Sequence, residues 1–119
     1  MTKGAVIFQD GWITDSAVVV LHNLRGKSVV ELRGFVPGDI FPKIANLEIY
    51  TRGQLLVKEQ LERKTGGFFR ILVQLPDEIA NQSKITLALK PSNVFVPAER
   101  GINSDQRRIS YRLEYIGFK

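Results

Sequence analysis

The 119-residue chain has no cysteine, one histidine, one tryptophan and no apolar run long enough to span a bilayer. Without cysteine, disulfides, thiolate chemistry and cysteine-ligated zinc are excluded. The single imidazole, His22, ends the apolar run 17–21 with no second nitrogen ligand and no obvious carboxylate pair, so it reads as a strand-end residue and not as a metal ligand or general base. Glu59, Glu62, Asp77 and Glu78 form no paired motif of the kind glycoside hydrolysis needs. The expectation is a chain that is not an enzyme and calls for no metal or other cofactor. The opening Met1-Thr2-Lys3-Gly4 meets only a few apolar residues before Gln9-Asp10, which is not a signal-peptide pattern, and a cytoplasmic location is the default expectation. A piece cut from a longer protein would read the same way.

Concentrated charge is missing as well. The net charge is +5, but the 17 basic residues are spread from Lys3 to Lys119 and alternate with acids such as Glu31 and Glu48. The only basic pairs are Arg63-Lys64 and Arg107-Arg108, far from the clustered stripe that phosphate binding displays. Nucleic acid is therefore not an expected partner, and the charge reads as a solvated, mildly basic surface. An apolar fraction of 44% and a charged fraction of 24% are ordinary for a globular chain. The length suits one domain over 1–119.

What is present is alternation with a period of two. Val30, Leu32, Gly34 and Val36 share one side of a strand while Glu31 and Arg33 take the other; Ile85, Leu87 and Leu89 oppose Thr86, Ala88 and Lys90. Ile109, Tyr111 and Leu113 alternate in the same way with Ser110, Arg112 and Glu114. Turn signals at 24–27, 52–53 and 64–67 separate the runs. Eight strands are predicted, near 5–9, 17–22, 28–35, 47–51, 54–61, 68–75, 84–90 and 109–118. Segment 55–61 has mixed character and admits a helical turn. The fold class is all-β, a single antiparallel sandwich of jelly-roll or immunoglobulin-like form. Strand order is not legible.

Segment 93–110 reads NVFVPAERGINSDQRRIS and joins an apolar run to the last strand. It resembles the C-terminal signature of small β-sandwich modules found with bacterial glycosyltransferases, in which FxP, a few residues and SDxRxLG lead into a final strand. The matching residues are Phe95, Pro97, Ser104, Asp105, Arg107 and Ile109, with Ser110 where glycine is common. Asp10-Gly11-Trp12, followed by Asp15 and the run 17–21, is similar to the opening of such modules, and Tyr50-Thr51-Arg52-Gly53 stands at their central hairpin turn. The resemblance implies a non-catalytic accessory module of a glycosyltransferase domain or protein, binding saccharide weakly. The alternative is a sandwich that docks on such an enzyme without touching sugar.

Trp12 and Asp15 are the candidate carbohydrate-binding residues, since an indole face stacks a pyranose and a carboxylate takes hydroxyls. The competing role for a lone tryptophan beside a strand is to plug the core. Asp105 and Arg107, two apart, are the candidate structural clamp for the long loop, because a guanidinium fork holds two acceptors and a carboxylate accepts from loop amides.

Overall fold

The alternating runs build two antiparallel sheets in the computed structural model, which describes residues 10–23, 25–36, 44–62 and 67–119. Among the described residues seven strands form: β1 (Ala17–His22), β2 (Val29–Phe35), β3 (Ile44–Thr51), β4 (Gln54–Glu62), β5 (Phe68–Gln74), β6 (Lys84–Pro91) and β7 (Arg112–Phe118). The strand predicted at 5–9 lies outside the described residues. Segment 55–61 is strand throughout and holds no helical turn, because its register against β3 runs from Ile44–Glu62 to Thr51–Gln54. The hairpin joining β3 to β4 turns on Arg52 and Gly53, both at positive φ (51° and 77°), the pairing a tight two-residue turn requires.

The four-stranded sheet runs β1-β6-β3-β4 and the three-stranded sheet β5-β2-β7. Residues 11–13 extend the latter: Ile13 N–H donates to the Tyr111 carbonyl at 2.9 Å, and Leu113 N–H to that of Gly11 at 2.7 Å. The pairs β3·β4, β2·β5, β1·β6 and 11–13 against the chain end are thus nested one outside the other, like a single long hairpin rolled over on itself. This is the jelly-roll form. Among the described strands only β3 and β4 are both consecutive and adjacent, which sets it apart from the immunoglobulin-like order.

Inward residues of both sheets share one buried cluster. Val30, Leu32, Ile71 and Val73 meet Leu47, Ile49, Leu87 and Leu89, and burial of side chains this size stabilises by about 1.5–3 kcal/mol each. Ile13, Phe95, Ile109 and Tyr111 close one end. Tyr111 is 1% exposed, and its hydroxyl donates to the Asn46 carbonyl at 2.9 Å, satisfying a polar atom that burial would otherwise penalise. Two short helical turns, α1 (Asp77–Ala80) and a 3-10 turn (Pro97–Arg100), complete the described chain, and no described helix is long and apolar enough to cross a membrane.

Candidate functional site

The outward residues of the three-stranded sheet line up in rows fixed by strand register. Arg112 lies opposite Trp12 on one side and Phe35 on the other, and Phe35 lies opposite Phe68. Paired residues in an antiparallel ladder project to the same face, so Trp12, Arg112, Phe35 and Phe68 form one row across it. The contacts follow: the Arg112 guanidinium is 5.2 Å from the Phe35 ring centre and 5.9 Å from that of Trp12, and the Phe35 and Phe68 rings are 5.2 Å apart. Tyr115, Arg33 and Arg70 make the next row, with the Arg33 guanidinium 4.4 Å above the Tyr115 ring. Gly117, Glu31 and Leu72 make a third.

This face is more apolar than a solvated sheet surface needs to be. Phe68 is 59% exposed, Leu72 42% and Tyr115 37%. Between the first two rows opens a groove of about 400 Å³ lined by Arg33, Gly34, Phe68, Phe69, Arg70 and Glu114. Gly34 is required there: a Cβ would fall 2.6 Å from the Arg112 carbonyl oxygen and into the Phe69 ring, which β5 lays across the glycine from the paired position. The β2–β7 pairing also shifts register between Arg33 and Gly34, a bulge at the groove itself.

The electrostatics of the face centre on Glu31. Its Oε2 accepts from Arg70 Nε and lies 3.8 Å from Arg33 Nε. The Arg70 hydrogen bond holds the carboxyl below its ordinary value against the opposing effect of burial, with the charges of Arg70, Arg33 and Lys119 adding to the same shift. Arg112 Nη2 donates to Glu114 Oε1 at 2.9 Å, while its Nε is buried without a hydrogen-bond partner among the described residues.

Trp12 belongs to this face but is half-buried, edge-on to Phe35 and to the buried Phe95, with the Arg112 guanidinium 5.9 Å from its ring centre. Asp15 does not join it in the groove. Asp15 lines a different cleft of about 330 Å³ with Asn46, Glu48, Lys58, Lys90 and Ser92, and its other neighbours are Thr14, donating at 3.2 Å, and Arg108, 3.9 Å away.

Asp105 and Arg107 bond to each other twice over. The Arg107 backbone N–H donates to Asp105 Oδ1 at 2.9 Å, and its Nε and Nη2 reach the same carboxylate at 3.1 and 2.8 Å. The remaining edge of the guanidinium takes Asp10 in a fork, with Nη1 at 3.0 Å and Nη2 at 2.8 Å. Arg107 thereby holds both carboxyls below their ordinary value. The Asp105 carbonyl accepts from Ala98 N–H at 2.9 Å, which ties the 3-10 turn to the same knot. Ser110, standing where the resembled modules favour glycine, is fully buried and donates its hydroxyl to the Asn93 carbonyl.

Phe68, Arg33, Arg70 and Tyr115 are the site residues that sequence reasoning missed. The adjacent phenylalanines Phe68 and Phe69 carried the signal: within a period-two strand one of two neighbouring rings must face outward. Among the described residues no group of three or more histidines and carboxylates is placed to hold a metal ion. Comparison of the chain with models of known protein families and with curated proteins gives no significant match.

Proposed function

We propose that this chain is a non-catalytic binding module that receives saccharide weakly on the outer face of its three-stranded sheet, in the service of a separate glycosyltransferase domain or protein. The observation that carries the reading is the row Trp12, Arg112, Phe35 and Phe68 beside a groove of about 400 Å³. Ring faces and C–H groups of a pyranose are apolar and its rim is polar, and the face offers the same division: an exposed phenyl ring beside guanidinium and carboxylate groups. The association with a glycosyltransferase rests on the resemblance of segment 93–110, and turnover is assigned to that partner.

A single shallow platform of this kind binds with a dissociation constant of roughly 1 mM, equivalent to about −4 kcal/mol, so useful affinity comes from tethering to the enzyme. Titration of the isotope-labelled chain with a panel of oligosaccharides, followed by NMR, tests the reading. The expected shifts cluster on the Trp12 indole and on the amides of Phe35, Phe68 and Arg70. Shifts confined to the Asp15 cleft would move the site to the other sheet. No shift with any saccharide, joined to broad shifts over Phe68 and Leu72 on adding a glycosyltransferase, would assign the face to protein docking.

A further inference from the structure

We infer that the saccharide this groove takes is acidic, carrying a carboxylate that sits between Arg33 and Arg70; the inference rests on the saccharide reading of the same face. Arg33 and Arg70 are directly opposed partners on β2 and β5, both lining the groove. Like charges directly opposite one another destabilise a strand pair, and an anion between them relieves the cost. Among the described residues the anion supplied to them is a shared one. Glu31 Oε2 serves Arg70 through a hydrogen bond and Arg33 at 3.8 Å, so a single carboxylate answers two guanidiniums. Lys119 acts on that carboxylate too.

Both arginines have capacity left for a ligand. Their side chains are 53% and 51% exposed, and a guanidinium carries five N–H donors, of which Arg70 commits Nε to Glu31. The Arg33 guanidinium lies 4.4 Å from the Tyr115 ring centre, a cation–ring contact that positions it beside the groove. A planar fork of this kind matches a carboxylate. The exposed ring of Phe68 supplies the apolar surface on which the sugar ring rests while its carboxylate meets the arginines, and the inward-packed Phe69 lines the groove beside it. A further carboxylate-paired arginine of this face, Arg112, stands inside the aromatic row between Trp12 and Phe35 with Glu114 at its side, and Glu114 lines the groove as a hydroxyl acceptor.

The test is an NMR titration of the full chain with an oligogalacturonate, a neutral cello-oligosaccharide of equal length and a polyglutamate peptide. The expected result is binding of the uronate on this face roughly tenfold tighter than the neutral sugar, a gap that closes as salt is raised. The double variant Arg33→Gln/Arg70→Gln removes the preference, so that the uronate binds no tighter than the neutral sugar, and Glu31→Gln, which frees both guanidiniums, widens it. Equal affinity for neutral and acidic sugar on this face overturns the inference and leaves the saccharide reading standing. Polyglutamate binding as tightly as the uronate also overturns it, since charge alone would then suffice. If neither sugar shifts the face, the saccharide reading falls and takes this inference with it.

Discussion

The two outer faces of the sandwich are built on the same alternation and solved differently. The four-stranded face presents Val20, Thr86 and Ala88, with Glu48 between its register partners Lys58 and Lys90; its main aromatic contact is Tyr50, whose hydroxyl donates to Glu48 at 2.7 Å. The three-stranded face uses arginine where the other uses lysine, and rings where the other uses small or β-branched residues. Lysine is a compact, strongly hydrated charge, whereas arginine is planar, stacks on rings and grips acceptors in pairs. The four-stranded face exposes Val20 and Leu55 as well, so it is the arginines and rings that make the three-stranded face the one suited to the proposed ligand, with its apolar surface and polar rim.

The sharpest way to break this comparison is to remove its most exposed ring. Phe68→Ala is expected to weaken saccharide binding tenfold or more, about 1.4 kcal/mol, because it deletes the open end of the aromatic row. Thr86→Ala on the opposite face is expected to leave binding unchanged in the same titration. Equal losses from both substitutions would mean that the two faces do not differ in function.

A smaller effect, on stability, is expected at the knot that precedes the row. Arg107→Gln deprives Asp10 and Asp105 of their shared partner and should lower the thermal midpoint, with the double variant Asp105→Asn/Arg107→Gln losing less than the sum of the two single changes. Both carboxyls are held below their ordinary value of 3.8 in the folded chain, so the stability they contribute is fully present above that value and is lost as pH falls through the lowered ones. The midpoint gap between wild type and Arg107→Gln should therefore be constant near neutrality and shrink below about pH 3.8. Unaltered stability combined with lost binding in these variants would make the knot a recognition element instead.

Much of the fold was legible because its strands alternate cleanly and its turns carry glycine. Arg52-Gly53 announced a tight hairpin, and Ile85, Leu87 and Leu89 are buried as their period requires. The rolled-up strand order was not legible, since period-two patterns state which face a residue takes and nothing about which strand lies beside it. Residues 11–13 are too short a run to show a period, and α1 is one turn after Pro76, shorter than any helical repeat. The candidate site was legible only in part. Asp105 and Arg107 are neighbours in sequence, but Asp10 joins Arg107 across 97 positions, and no local pattern signals a partner that far away. Phe68 faces out because Phe69 faces in, a choice made by the packing of Phe69 over Gly34 and against Tyr111.

The nesting of the strand pairs also sets a sequence of events in time. The β3·β4 hairpin closes over two residues, while the pairing of 11–13 with the chain end must bring together positions about a hundred apart, and the entropy of closure grows with that separation unless inner pairs have already shortened it. Closure from the inside outward therefore makes Trp12 the last member of its row to arrive and the first to leave. Hydrogen exchange should show the Ile13 and Leu113 amides opening before those of Leu47 and Ile49, and the reverse order would refute the scheme. The aromatic row is complete only in molecules whose outermost layer is shut, so the face proposed to meet a ligand doubles as a gauge of whether the whole roll has finished folding.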